Sequence, residues 1–265
     1  MADHRVTATI IQHCRVFETP EDLAREVADW IVEEALRHQR RFSVCLSGGS
    51  TPKRLYELLG AAPRRARFPW ERTHWFWGDE RFVPHNDPRS NFRMAEEAML
   101  QRVPSPTENI HAIPTEGMPP EACAAAYEAV LKSWYGAQAL DPQRPLFDLT
   151  LLGLGEDGHI ASLFPESPNL SEGNRWVVAV AGAGRTERIT LTYPALESSG
   201  VTVFLVAGEH KRDILLRVAA DDPALPATRL RPTGAIYWFA DRAADPLGRP
   251  SPLGDEESGQ ALARK

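Results

Sequence analysis

Phe147-Asp-Leu-Thr-Leu-Leu152 leads directly into Gly153-Leu-Gly-Glu-Asp-Gly-His-Ile-Ala-Ser-Leu-Phe-Pro165. The first stretch is a short apolar run of strand length, and the second breaks it with three glycines, two acids and a histidine. Glycine lets the backbone take positive φ and approach a ligand closely. Imidazole, with an unperturbed pKa of about 6.5, is the side chain best suited to carry a proton near neutrality. Such a loop at the carboxyl end of a strand is where an α/β protein places its site.

The same alternation extends in both directions from this stretch. Thr19-Pro20-Glu21-Asp22 has the cap, first-position proline and acidic first turn of a helix start, and Leu23, Val27, Trp30, Ile31 and Ala35 follow at helical spacing. Phe42–Leu46 reads as a strand, Ser47–Pro52 as a turn and Lys53–Leu59 as a helix. Thr73–Trp77 is an aromatic strand candidate, and Ser90–Gln101 and Glu121–Tyr135 are helical. Trp176–Val180, Ile189–Thr192, Val201–Ala207 and Ala235–Phe239 complete the strands, with Glu209–Ala219 helical between the last two. Strands interleaved with helices predict an α/β fold with a mostly parallel sheet covered on both faces. No internal repeat or interdomain linker is visible. One domain over residues 1–245 is expected, followed by a disordered tail over 246–265 rich in Pro, Gly, Ser and charge.

Composition narrows the function. The 265 residues are 43% hydrophobic and 25% charged with a net charge of −6, ordinary globular usage with both signs interspersed. No basic excess favours nucleic acid, and no apolar run approaches a membrane span. Cys14, Cys45 and Cys123 lack metal or redox spacing and are expected as packing residues of a reduced, cytoplasmic protein. The histidines form no HxH or HExxH pattern, so no metal is expected. No GxSxG elbow anchors a serine-hydrolase triad. The seven tryptophans scatter as core filling.

Three polar clusters each follow a strand. Gly153-Leu-Gly-Glu-Asp-Gly158 formally matches GxGxxG. A dinucleotide fingerprint opens a helix and is followed by an acid on a second strand, whereas here Pro165 cuts the helix short and Glu172 lies in a loop-like region. His159 beside Asp157 points instead to acid–base chemistry. Ser47, Gly48, Gly49, Ser50 and Thr51 present small residues at a helix start, where successive N–H groups and hydroxyls make an anion cradle suited to phosphate. Asp79-Glu80-Arg81 offers carboxylates and a guanidinium for a sugar hydroxyl, an anion or developing negative charge. Arg188 and Lys211, at the edges of later elements, are of the residue types that hold phosphate.

Together these blocks resemble the 6-phosphogluconolactonase family of the glucosamine-6-phosphate deaminase/isomerase superfamily. The likeness is ordered: SGGSTP at 47–52, GDERFVP at 78–84, SNFRMA at 90–95, GLGEDGHIASLFP at 153–165, RITLTYPAL at 188–196 and GEHKRDIL at 208–215. RPTGAIYWFADRAA at 231–244 fits the closing strand and helix, and the tail after Pro246 lies outside it. The resemblance implies a Rossmann-like, doubly wound sheet, no cofactor, no required metal, and a phosphosugar lactone as substrate. By position, Gly49, Ser50 and Thr51 would contact the substrate phosphate with Arg188 and Lys211. His159 would be the base, with Asp79, Arg81 and Asp157 near the sugar and their division of labour open.

The deaminase branch carries a glutamate five residues after the histidine, to help open the sugar ring. Phe164 stands there in this chain, and Glu166 lies two residues further. His159-Ile160, by contrast, is shared with that branch. The expected reaction is therefore hydrolysis of 6-phospho-D-glucono-1,5-lactone, with Arg81 stabilising the oxyanion and Asp157 holding the imidazole tautomer or the water. The alternatives are the deaminase and a non-catalytic sugar-phosphate sensor. Such sensors usually carry a helix-turn-helix ahead of this domain, and about 17 residues precede the first core helix here. Oligomeric state is not legible from the sequence.

Overall fold

The computed structural model describes residues 14–181 and 186–249. Its centre is a six-stranded parallel sheet in the order β1-β9-β8-β5-β2-β3. The strands are β1 (Cys14–Phe17), β2 (Phe42–Leu46), β3 (Thr73–Trp77), β5 (Phe147–Gly153), β8 (Ser199–Val206) and β9 (Ala235–Asp241). Every residue of β2 is buried, as a central strand covered on both faces must be. Helices α1 (Pro20–Arg37), α2 (Ser50–Leu59), α4 (Asn91–Ala98), α5 (Pro120–Tyr135) and α7 (Arg212–Ala219) surround the sheet, with short helices α3 (Arg64–Arg67), α6 (Tyr193–Glu197) and α8 (Pro226–Arg229) between them. Thr19 caps α1 by accepting from Asp22 N at 3.1 Å. The stripe Leu23, Val27, Ile31 and Ala35 is buried against the sheet, and each of the three larger side chains contributes roughly 1.5–3 kcal/mol.

The connection after β2 turns toward β3, and the connection after β5 turns the other way, toward β8. Adjacent strands whose crossovers diverge leave a crevice at their carboxyl ends. The loops leaving β2 and β5 at that crevice are residues 47–49 and 154–159, the two stretches read as anion cradle and acid–base turn.

The structure departs from expectation in a second sheet. β4 (Asp79–Arg81), β7 (Arg188–Leu191) and β6 (Val177–Val180) form a three-stranded antiparallel sheet in that order. The strands expected at Trp176–Val180 and Ile189–Thr192 belong here and not to the parallel sheet. The reason is geometric: residues 181–187 are too few for a crossover, which needs about a dozen, so the pair can only be antiparallel. Asp79-Glu80-Arg81, expected as a polar loop, is itself a strand, with Arg81 opposite Arg188. Gly78 joins the sheets: its N–H donates to Leu46 O at 3.0 Å, and its carbonyl accepts from Leu191 N at 2.8 Å.

Smaller differences sit at element ends. β1, α6 and α8 were not anticipated. The Ser90–Gln101 helix is Asn91–Ala98 followed by a 3-10 turn at Leu100–Arg102, and Glu209–Lys211 forms a 3-10 turn before α7. Five tryptophans (Trp70, Trp75, Trp77, Trp176 and Trp238) are buried in the core, and Trp30 and Trp134 pack against it. All three cysteines are free thiols; Cys45 and Cys123 are buried and Cys14 is half-buried. Of the expected tail, Pro246–Arg249 are described, and Arg249 is fastened to the buried Asp245 carboxylate at 2.6 Å. The remainder, 250–265, lies outside the described residues. Among the described residues no helix is long and apolar enough to cross a membrane.

Candidate active site

A cavity of about 270 Å³ opens at the crevice. One wall is the 47–51 loop, another is Gly153, Gly155 and His159, and the third brings Asp79, Arg81 and Arg188 from the antiparallel sheet; Lys211 closes it. Of the residues singled out from sequence for the site, Asp157 and Glu80 do not line this cavity. Asp157 is the one in the acid–base turn. It stands behind His159 and faces an adjoining groove with Phe164, Glu166 and Arg188. Larger hollows of 940 Å³ and 660 Å³ lie around Gly60–Arg72 and along α5, and neither contains a histidine.

The turn after β5 builds an acid–base pair from neighbours in sequence. Gly158 N donates to Gly155 O at 3.0 Å and Gly155 N to His159 O at 2.9 Å, closing a compact loop. Within it the Asp157 carboxylate accepts from His159 N at 3.1 Å and meets His159 Nδ1 at 2.5 Å. Burial pushes the Asp157 carboxyl up, but the hydrogen bond and charge of His159 outweigh it and hold the group below the ordinary aspartate range. With Nδ1 engaged, Nε2 is the nitrogen left to exchange a proton with a ligand. A Cβ at position 155 would lie 2.0 Å from His159 Nδ1 and 2.7 Å from Asp157 Oδ1, so only glycine admits the pair. The Phe164 ring centroid lies 4.7 Å from that of the imidazole, and the Arg188 guanidinium lies 5.4 Å from the same Phe164 centroid. Glu166 is exposed and does not line the cavity.

The 47–51 loop is anchored from below. The buried Tyr56 hydroxyl accepts from Ser47 N at 3.0 Å and donates to Ser47 O at 2.9 Å. Gly49, with φ of 110°, precedes α2, and no side chain caps that helix. Its first N–H groups and the partial positive charge of the helix end therefore face the cavity rather than a cap. Among the described residues the Lys211 ammonium has no hydrogen-bond or ion-pair partner, while its backbone N–H donates to Gly208 O at 3.0 Å. Burial lowers its pKa, against the opposing pull of Glu156 and Asp157.

The antiparallel sheet brings in the arginines and a buried carboxylate network. Asp79, 6% exposed, accepts from Ser162 Oγ at 2.6 Å and from Asn91 Nδ2 at 3.3 Å, and lies 3.6 Å from Arg188 NH1. Its oxygens thus act as an internal strut that fixes Arg188. Arg81 donates to Arg89 O at 2.7 Å. Glu80 does not face the cavity: its buried carboxylate accepts from Asn91 N, Phe92 N and Ser90 Oγ, holding the start of α4. Burial raises the Glu80 pKa and these donors oppose the rise. Sequence reasoning missed Asn91, Ser162 and His210 as parts of the site. All three lie inside blocks already quoted, but nothing in the spacing says that the side chains of Asn91 and Ser162 point at Asp79. Among the described residues no group of three His, Cys, Asp or Glu could hold a metal ion.

Cavity and fold together define a doubly wound α/β protein with a small polar cavity at the switch point of its sheet. A family model described as glucosamine-6-phosphate isomerases/6-phosphogluconolactonase matches residues 18–238. A 6-phosphogluconolactonase of Nostoc sp. is 42% identical over 216 residues, covering 80% of this chain and 87% of that one. One from Haemophilus influenzae is 33% identical over 86% of this chain and 96% of its own length. The crystal structure of a 6-phosphogluconolactonase from Thermotoga maritima superposes with a TM-score of 0.73 at 31% identity, over 86% of this chain and 98% of that one. The chain belongs to the glucosamine-6-phosphate isomerase/6-phosphogluconolactonase family. A monomeric glucosamine-6-phosphate deaminase gives the same TM-score, 0.73, at 19% identity. The fold is thus shared with that deaminase.

Proposed function

We propose that the protein is a 6-phosphogluconolactonase that hydrolyses 6-phospho-D-glucono-1,5-lactone to 6-phospho-D-gluconate, in the cytoplasm and as a step of the pentose phosphate pathway. The observation that carries this reading is the Asp157–His159 pair at the rim of a cavity whose opposite wall is an uncapped helix start flanked by cations.

The lactone carbonyl is already electrophilic, so water attacks C1 directly. Neutral His159 takes a proton from that water through Nε2 while Asp157 accepts from Nδ1–H and steadies the imidazolium that forms. As the tetrahedral intermediate collapses, the C1–ring-oxygen bond breaks and His159 returns its proton to the leaving oxygen. General acid–base catalysis of this kind is worth on the order of 10²–10⁴ in rate. Arg81 faces the developing oxyanion, a contribution of roughly 3–4 kcal/mol for a single donor. The substrate phosphate is held by Ser47, Gly48, Gly49, Ser50 and Thr51 with Arg188 and Lys211, so that binding energy remote from C1 orients the reacting carbon. Asp79 serves this arrangement through Arg188.

Phe164 at the fifth position after His159, with Glu166 outside the cavity lining, favours hydrolysis over deamination, because the carboxylate expected at that position to assist ring opening is replaced by an apolar ring. The test is a coupled or pH-stat assay on freshly made lactone, corrected for spontaneous opening. Turnover above that background supports the reading. Ammonia release from glucosamine 6-phosphate would replace it with the deaminase, and binding without turnover with the sensor.

A further inference from the structure

We infer that Asn91 is a positioning residue that sets the height of the phosphate loop by filling the space left open at Gly48. The inference rests on the reading of residues 47–51 as that loop. Asn91 is the first residue of α4, is 2% exposed, and comes from neither strand that supplies the cavity floor. Its backbone N–H is held by Glu80 Oε1 at 2.8 Å, so its side chain is free of any capping duty. That side chain is fixed at one end: Nδ2 donates to Asp79 O at 2.9 Å and to Asp79 Oδ1 at 3.3 Å. The other end lies directly against Gly48, where an added Cβ would come within 2.0 Å of Oδ1 and 2.6 Å of Cγ.

The contact ties the two halves of the site together. Asp79 is hydrogen-bonded to Ser162, three residues after His159, and is paired with Arg188. Through Asn91 the same carboxylate braces Gly48, one residue before the helix start that would receive phosphate. An amide suits the task. One end donates to a carboxylate, and the flat carbonyl end fits under a glycine without a charge that would oppose an anion. Aspartate at 91 would put a second carboxylate against Asp79, and leucine would take from buried Asp79 the amide that donates to its carbonyl and carboxylate.

Kinetics and phosphate binding across a small variant set test this. Asn91→Ala should raise KM and weaken binding of inorganic phosphate and of 6-phosphogluconate together, by about 10- to 100-fold, the range expected when a positioning group is lost. Both kcat and its pH profile should stay near wild type, since the Asp157–His159 pair is untouched. Gly48→Ala should weaken phosphate binding in the same way. The double variant Gly48→Ala/Asn91→Ala should bind better than the product of the single losses predicts, because removing the amide makes room for the methyl. Asn91→Ser, which keeps a short donor, covers the case in which Asn91→Ala does not fold. Unchanged phosphate affinity in Asn91→Ala or Asn91→Ser, or strictly multiplicative losses in the double variant, would overturn the inference. Ser50→Ala/Thr51→Ala separates the two levels: if it too leaves phosphate binding intact, the phosphate-loop reading fails; if it weakens binding while Asn91 variants do not, only the role of Asn91 fails.

Discussion

The two halves of the cavity are built on opposite plans. The half carrying His159 and Asp157 is local: donor and acceptor lie two residues apart and one turn holds them. The half carrying Arg81 and Arg188 is assembled over distance. Its strands come from residues 79–81 and 188–191, and its buried charge, Asp79, depends on Ser162 and Asn91 from two further segments. A local pair is fixed by sequence and tolerates movement of its loop as a unit. A long-range network exists only once the tertiary structure is complete. The first should therefore govern chemistry, and the second binding and stability together.

The largest effect should come from the local half. His159→Ala should lower kcat by on the order of 10²–10⁴ while inorganic phosphate still binds, as read by steady-state kinetics and calorimetry. Next is Gly155→Ala, which touches no ligand: its methyl would displace the pair, and a loss of about 100-fold in kcat/KM, mainly in kcat, is expected. Wild-type kcat in that variant would break the claim that the turn alone sets the imidazole. In the long-range half, Arg188→Ala should raise KM and also destabilise the fold by roughly 1.5–3 kcal/mol, because Asp79 stays buried with one partner fewer. Lys211→Ala should raise KM with stability changed by less than about 0.5 kcal/mol, since it has no partner to abandon. Denaturant midpoints on the two variants check the contrast.

The smallest effect lies far from the cavity. His74 Nδ1 meets His111 Nε2 at 3.2 Å beside Trp134. Burial, helped by His111 and Arg41 and opposed by Glu108, lowers the His74 pKa from 6.5 to about 4. The unfolded chain then binds the proton more tightly than the folded one, so the stability contribution is full above pH 6.5 and is lost as pH falls toward 4. His74→Phe should flatten that acid limb in urea titrations while leaving kcat unchanged.

Legibility followed the same division. The parallel sheet was readable because its strands are separated by helix-length segments, and the loops after β2 and β5 were readable because glycines and hydroxyls cluster there. The antiparallel sheet was less so. Asp79-Glu80-Arg81 is too short and too polar to declare itself a strand, and only its partners Ile189 and Thr190 make it one. The spacing between Val180 and Arg188 did hold the clue that these strands could not be parallel. Asn91 and Ser162 were invisible as site residues because their partner, Asp79, is remote in sequence. Glu80 was offered with its neighbours as a ligand group and is instead buried under α4, since alternation along a strand sends adjacent side chains to opposite faces.

Gly78 carries a consequence for the width of the ligand chamber. The two peptide units flanking this residue serve different sheets, the N–H of one donating to the large sheet and the carbonyl of the next accepting from the small one, so the two jaws of the chamber are joined through the main chain of one residue. A methyl at position 78 would meet Cys45 Sγ at 3.5 Å, an ordinary contact. The joint is thus fixed by its main chain, and side chains on either jaw can be exchanged to suit a different sugar without loosening the hinge pin.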